Sequence, residues 1–157
     1  MAVEFYDATN AIVSRLNTAW QANAAAAVGS SAVPELVHTW VDRSGYGDIE
    51  RPDNLPWGRV SVRHNDANPR SIGKRYIAER TGICWVECRV FFEDGTAGPK
   101  ALKLAEIAHS AYEGARIDKI WFPRVVLREV GKENGRWQRV DVLAYFKWTA
   151  HVTVVTA

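Results

Sequence analysis

The sequence predicts an α+β fold: a mainly antiparallel β-sheet with a long β-hairpin and two helices packed against it. Two stretches, near residues 4–23 and 99–113, have apolar residues at the three- and four-residue spacing of amphipathic helices. The alternation of apolar and polar residues that marks half-buried strands recurs at 57–64, 75–92 and 135–148. The predicted order is α-β-β-α-β-β-β, and 157 residues fit a single domain over 1–157.

The first helix is predicted from Glu4 to about Asn23. Its apolar residues form one narrow stripe that should pack on the sheet: Phe5, Ala8, Ile12, Leu16, Ala19 and Trp20. The alanines that follow prolong the helical pattern, and Pro34 excludes a simple continuation. Residues 35–41 are compatible with an extra short strand. The loop 42–56, rich in Gly, Pro and Asx residues, is long enough to be a candidate contact region.

The predicted hairpin joins a strand at 57–64 to a strand from Arg75 to Phe92, with Gly82 as a bulge or bend. Alternation gives the second strand a core face with Cys84, Val86, Cys88, Val90 and Phe92. Its other face carries Ile83, Trp85 and Phe91 beside Glu87 and Arg89. The two cysteines would lie about 13 Å apart on a strand, too far for a disulfide, and are expected to be buried thiols.

The second helix is predicted from Pro99 to Glu113. Pro99 would occupy the first helical position, and Gly114 follows the last one. The helix has its own apolar stripe and should also lie against the sheet.

Three strands are predicted after this helix. Two short ones, at 116–122 and 124–130, are interrupted at Pro123, and a hairpin loop at 131–135 leads to the last. The core face of the last strand carries Val140, Val142, Ala144, Phe146 and Trp148. Its opposite face carries Arg139, Asp141, Leu143, Tyr145 and Lys147.

The sequence contains almost none of the residue motifs that are typical of catalytic sites. The four histidines fall in separate elements, and no motif has metal-ligand, phosphate-loop or nucleophile-elbow spacing. His64 and Asp66 come nearest to a site, but an Asx turn accounts for Asp66 without chemistry. We therefore expect no catalytic residues, no cofactor and no metal: this protein should not be an enzyme.

Charge and hydrophobicity argue against three features: capture of nucleic acid by overall charge, a membrane-spanning segment and a signal peptide. The formal net charge is only +2, too small for a global field that captures nucleic acid. No apolar run approaches the roughly 20 residues that span a bilayer. The first residues are acidic and lack the basic and apolar regions of a signal peptide. We expect a chain that stays in the cytoplasm where it is made and has no membrane partner.

Two surfaces are candidates for partner binding. Basic residues cluster at the tip and stem of the hairpin: Arg63, Arg70, Lys74, Arg75 and Arg80. They are either a solvated strand face that resists aggregation or a strip that faces nucleic acid or an acidic partner. The seven tryptophans exceed what one small core readily buries, which favours either a second packed layer or a subunit interface. The candidate interface residues are Trp57, Trp85, Phe91 and Tyr145.

The order of elements and several local segments resemble the tail terminator, or tail completion, proteins of long-tailed bacteriophages. The resemblance rests on residues 55–62, on 82–92 with its Arg-rich approach, on the Gly-Thr-Ala-Gly entry to the second helix at 95–98, and on 135–146. With the first helix it covers most of the chain. The longer stretch 24–54 departs from the family pattern.

The resemblance implies a virion structural protein without catalytic activity. Such a protein forms a ring, expected here to be a hexamer, on the head-proximal end of the tail tube. The ring ends tube polymerisation and offers a surface for head joining. The implied partners are other copies of the chain, the tail tube protein and the head connector or neck protein. DNA would only pass through the lumen without sequence-specific contacts, and assembly would occur in the host cytoplasm.

Two other classes of function stay open at the level of sequence. One is a small α+β ligand-binding module, or a nucleic-acid-binding module that uses the basic hairpin. The other is a different phage protein of the neck or head–tail joint.

Overall fold

The computed structural model describes residues 5–38, 54–65, 68–69, 73–93 and 95–153. The helices are α1 (Phe5–Val28) and α2 (Ala97–Tyr112). The strands are β1 (Glu35–His38), β2 (Trp57–His64), β3 (Asn68–Pro69), β4 (Arg75–Phe91), β5 (Arg116–Ile117), β6 (Ile120–Glu133) and β7 (Trp137–Thr153). This arrangement confirms the predicted α+β class and the predicted order of elements.

All the described strands belong to one sheet. The strands lie in the order β1-β2-β4-β7-β6-β5, and β3 pairs with β4 beside this path. β1 runs parallel to β2, while the other pairs are antiparallel. The centre is formed by β4 and β7, two strands of 17 residues that pair along their whole length. This pair is the most extensive contact between two elements of the described structure.

Both helices pack on the same face of the sheet, because the core is continuous between them and the even-numbered residues of β4 and β7. The core includes Trp20, Cys84, Tyr112, Phe146 and Trp148. The Tyr112 hydroxyl donates a 2.7 Å hydrogen bond to the carbonyl oxygen of Ile12, which joins α2 to α1. The indole of Trp20 likewise donates to the carbonyl oxygen of Pro34. Burying these polar groups with partners avoids a desolvation penalty.

The helix boundaries differ from the predicted ones. α1 extends to Val28, because the alanines after Asn23 continue the helix as far as Gly29, which has φ +67°. α2 begins at Ala97, so Pro99 is the third helical residue rather than the first. A proline is compatible with this position because amides in the first turn have no intrahelical partner. Gly114 has φ +66° at the end of α2, as predicted for a C-terminal glycine.

The strands also correct four predictions. Gly82 is not a bulge: it pairs in register with both His64 and Phe146. Phe92 lies beyond β4 and is exposed, so it does not belong to the core face. β6 continues through Pro123, where a register shift against β7 accommodates the residue that cannot donate a hydrogen bond. The predicted 131–135 loop contracts to a turn centred on Asn134 and Gly135, both at positive φ.

The tryptophans are more deeply buried than expected. Trp20, Trp57, Trp137 and Trp148 are all buried, and Trp121 is the most exposed tryptophan in the described part of the chain. Excess of tryptophan is thus a weak argument for a subunit interface here. Trp40, the end of the predicted strand at 35–41 and most of the 42–56 loop lie outside the described residues.

Candidate interaction surfaces

The open face is the side of the sheet opposite the two helices, formed by the odd-numbered residues of β2, β4 and β7. Strand alternation places all four predicted interface residues on it: Trp57, Trp85, Phe91 and Tyr145. Their exposure differs. Tyr145 is 37% exposed and Trp85 and Phe91 are half-buried, whereas Trp57 is buried. The guanidinium of Arg89 lies 4.8 Å from the centre of the Trp57 ring. Trp57 therefore already packs within its own chain.

Beside these aromatic residues, the open face carries a network of six charged residues, three basic and three acidic. Its members are Arg59, Glu87, Arg89, Glu133, Arg139 and Asp141. They come from β2, β4, β6 and β7, so the network crosses four neighbouring strands. Its formal charges cancel.

Arg139 is central to the charge network. It contacts Glu87 at 2.7 Å, Glu133 at 2.6 Å and Asp141 at 2.8 Å. Arg59 pairs with both carboxylate oxygens of Glu87 in a two-bond arrangement. Asp141 is fully buried and also accepts a hydrogen bond from the indole of Trp85 at 3.0 Å. A buried charge removed from such a set would leave its partners uncompensated.

The network holds Glu87 and Glu133 in the charged form. Burial by itself raises the pKa of Glu87, but the hydrogen bond from Arg59 and the charges of Arg89 and Arg139 outweigh burial and lower the pKa below 4.5. The pKa of Glu133 is also lowered, because hydrogen bonds from Arg89 and Arg139 exceed the effect of its burial. Glu87 and Glu133 thus remain ionised at neutral pH and are not poised for proton transfer.

The structure does not bring the predicted basic hairpin residues onto one surface. Arg63, Lys74 and Arg75 are exposed. Arg80 points to the helix side of the sheet, where its guanidinium lies 4.2 Å from the centre of the Phe5 ring. Arg70 lies outside the described residues. A DNA-facing role for this hairpin remains a prediction.

A second basic surface was missed by the sequence analysis. On β5, β6 and β7 four cations lie over aromatic rings of the open face. The distances to the ring centres are 5.5 Å for Arg124 over Tyr145, 6.0 Å for Arg128 over Trp85, 4.7 Å for Lys147 over Trp121 and 5.8 Å for Arg116 over Trp121. We call this surface the cation–aromatic stripe, with members Arg116, Trp121, Arg124, Arg128, Tyr145 and Lys147. The predicted break at Pro123 had separated Trp121 from Arg124 and Arg128, which the structure places on one strand.

His64 lies at the end of β2, between α1 and the aromatic core. Its Nε2 lies 2.7 Å from the hydroxyl oxygen of Thr9, and that hydroxyl donates its own hydrogen to the carbonyl of Phe5. His64 Nε2 is therefore the donor. The rings of Phe5, Phe146 and Trp148 surround the imidazole. Burial, aided by the charge of Arg80, lowers the pKa of His64 below 6.5. These contacts describe a neutral packing histidine; Asp66 lies outside the described residues.

Reactive and metal-binding groups are sparse in the described residues. Both cysteines are buried thiols, and burial raises the pKa of Cys84 to about 12 and that of Cys88 further above its usual value. Within the described ranges, no three His, Cys, Asp or Glu side chains are grouped so that they could hold a metal ion. The described helices include none that is long and apolar enough to cross a membrane.

The two edges of the sheet are different. At one edge lies β1, a strand of four residues that pairs in parallel with β2. At the other edge lies β6, which pairs with β5 only at Ile120 and Trp121. Among the described residues, no strand pairs with the outer side of β6 from 122 to 133. This long free edge is a template on which another chain could pair.

Comparison with known proteins gives one structural likeness to report. No protein-family model matches the chain, and no curated protein matches it. A chain in the solved structure titled "Virion of native gene transfer agent (GTA) particle" shares 17% sequence identity, with 90% of this chain and 92% of that chain covered and a TM-score of 0.45. A likeness of this size does not establish a shared function.

Proposed function

We propose that this chain is a structural protein of a bacteriophage virion that forms a ring on the head-proximal end of the tail tube. The ring ends tube polymerisation and provides the surface for head joining. Its role is structural rather than catalytic, and its partners are other copies of itself, the tail tube protein and the neck or connector protein. The sequence resemblance to tail terminator proteins supports this proposal.

The observation that carries the proposal is the unequal pair of sheet edges. A closed ring needs a heterologous interface, in which one surface of each subunit binds a different surface of the next. The short parallel strand β1 and the long free edge of β6 are such a pair of different surfaces, at opposite ends of one sheet.

β6 also shows features that natural proteins use to prevent uncontrolled strand pairing. Pro123 lies near its start, the register shifts between Glu129 and Gly131, and three cations lie along it. Such features limit pairing without a matching partner. They suit an edge that accepts one defined neighbour and does not extend into a fibre.

The decisive experiment is electron microscopy of particles from a phage whose gene for this chain has been deleted. The proposal requires overlong tails, or tails that fail to join heads. Tails of normal length joined to heads would contradict it.

A paired variant tests the β6 edge in the purified protein. Val130, near the end of β6, is 40% exposed, and Ile77, on β4, is 39% exposed. We expect Val130→Asp to shift the mass measured by light scattering from ring to single chain, because it places a charge beside the free edge. Ile77→Asp, the control, adds the same charge at nearly equal exposure to β4, far from the β6 edge, where Ile77 pairs with His151 of β7. Equal effects of the two variants would argue against the β6 edge.

A further inference from the structure

We propose that the cation–aromatic stripe binds the phosphate backbone of double-stranded DNA without reading its sequence. This inference goes beyond ring formation and assigns DNA contact to a surface other than the basic hairpin. It rests on the register of three strands, on the scarcity of nearby carboxylates among the described residues, and on the contacts between the cations and aromatic rings.

The register of β5, β6 and β7 puts the four cations on one continuous surface. Arg116 pairs with Trp121, Trp121 pairs with Lys147, and Arg124 pairs with Tyr145. Directly paired residues point to the same side of a sheet. Arg128 follows Arg124 by four residues on the same strand, about 13 Å away, and therefore lies on the same face.

The stripe has an excess of positive charge. Among the described residues, no carboxylate oxygen lies within 4.0 Å of a side-chain nitrogen of Arg116, Arg124 or Lys147. Arg128 approaches Asp141 only at 3.9 Å, and its own side chain is 57% exposed. Asp141 is fully buried and already pairs with Arg139. The nearby charge network is balanced internally, so it does not neutralise the stripe.

The aromatic rings hold these cations in place. Trp121 lies under both Lys147 and Arg116, and Tyr145 lies under Arg124. A cation over a ring face is attracted by the electrons of the ring, which restricts an otherwise mobile side chain. Cations that are already ordered lose less conformational entropy when they bind an anion.

The chemistry of the stripe favours phosphate over an acidic protein surface. The core of a protein–protein interface is depleted of charged residues as a class, although arginine and aromatic residues are common there. Here four cations share one surface, and in the described part of the chain only Arg128 comes within 4.0 Å of a carboxylate, which favours a polyanionic partner. Duplex DNA carries about one negative charge per 1.7 Å of its axis. The roughly 13 Å between Arg124 and Arg128 therefore always spans several phosphates. Contact is then independent of sequence and of position along the DNA.

This binding should be weak and strongly salt-dependent. About four neutralised phosphates predict a slope near −3.6 for the logarithm of the binding constant against the logarithm of salt concentration. In the proposed ring the stripe would contact passing DNA, a placement that rests on the proposed function. The binding itself is measured on the purified chain, so it is tested separately from ring assembly.

The test compares two double variants with the full-length protein, using a fluorescent duplex of random sequence over a range of salt concentrations. Arg124→Gln with Arg128→Gln removes half of the stripe cations and should reduce the slope by about 1.8. Lys100→Gln with Lys103→Gln removes the same charge from α2, on the other side of the sheet, and should change the slope little. Melting temperatures of all three proteins establish that each is folded.

Three results would overturn the inference. The first is the absence of salt-dependent DNA binding at low salt. The second is an equal loss of slope in the stripe and α2 variants. The third is binding of polyglutamate as tight as binding of DNA, which would identify an acidic protein as the partner. If the unmodified chain still forms rings in any of these cases, only the DNA inference fails and the proposed function stands.

Discussion

At the scale of single residues, the open face of this sheet differs from an ordinary solvent-facing sheet because it buries charge. Glu87 and Asp141 are buried carboxylates between arginines of three strands. Each ion has opposite charges as neighbours, which offsets the desolvation of the set. Removing one member should therefore be more damaging than removing a surface ion pair.

We predict that Glu87→Gln lowers the free energy of unfolding by about 3–5 kcal/mol. The neutral amide would leave Arg59, Arg89 and Arg139 close together with too little negative charge. Urea unfolding measures the change. Glu106→Gln, at an exposed position of α2, is the control and should stay within about 0.5 kcal/mol of the unmodified protein. Equal effects of both variants would show that the network does not stabilise the fold.

A second residue-scale prediction concerns pH. Burial lowers the pKa of His64 and of His38 in the folded chain, so the unfolded chain takes up these protons first as the pH falls below 6.5. The free energy of unfolding should therefore decrease as the pH falls from 6.5 toward the lower folded pKa values. His64→Gln should make this decrease shallower, measured by urea unfolding at a series of pH values.

The control for the loss of an imidazole is His151→Gln, at an exposed position of β7. If the free energy of unfolding of His64→Gln falls with pH as steeply as that of the unmodified protein, the lowered pKa of His64 is contradicted. Below pH 4.5 a further decrease is expected in both proteins, because the folded pKa values of Glu87 and Glu133 are also lowered.

At the scale of elements, Gly82 in β4 and Gly98 in α2 differ in the space available for a side chain. A Cβ at Gly82 would overlap the ring of Phe146 and the carbonyl oxygen of Arg63. The close approach of β2, β4 and β7 therefore needs glycine at this point. A Cβ at Gly98, in the first turn of α2, would meet no atom within 4 Å.

We predict opposite effects of alanine at these two glycines. Gly82→Ala should lower the free energy of unfolding by about 1–3 kcal/mol, because the ring and strand must shift to make room. Gly98→Ala should raise it by about 0.5 kcal/mol, because alanine loses less backbone entropy in a helix. Thermal or urea unfolding of both variants checks the signs. A stable Gly82→Ala protein would show that the strands are less tightly packed than described.

At the scale of the whole molecule, one sheet supports three surfaces with separate roles. Its helix side forms the core, its centre on the open side carries the balanced charge network, and its β6 end carries both the free edge and the cation–aromatic stripe. Pairing along the free edge would use the backbone groups of β6 and leave the side chains of the open face, including the stripe, exposed.

Assembly should make the thermal stability depend on protein concentration. Subunit contacts form only in the folded state, so mass action raises the apparent stability as concentration increases, by about 2.7 kcal/mol when the partner is at 100 times its dissociation constant. We predict a melting temperature that rises with concentration for the unmodified chain and rises less for Val130→Asp. A melting temperature independent of concentration would contradict self-assembly.

Much of the fold could be predicted from sequence because its signals are local. Periodicity identified both helices, and alternation assigned Cys84, Val86 and Val142 to the core face and Trp85 and Asp141 to the opposite face. The element order followed from these patterns and from turn residues such as Asn134 and Gly135. Boundaries were less certain: the first turn of α2 and the passage of β6 through Pro123 depend on partners that lie far away in sequence.

The surfaces depended on the tertiary structure. Sequence alone placed Glu87, Arg89, Arg139 and Asp141 on exposed-looking strand faces, but it could not show that register brings their opposite charges together. Alternation along β4 already puts Arg80 on the opposite face from Arg75, but only the tertiary structure shows that its guanidinium lies over the Phe5 ring of α1. Side-chain periodicity fixes which face of a strand a residue occupies, whereas strand order and register decide which residues meet, and those are set by the whole sheet.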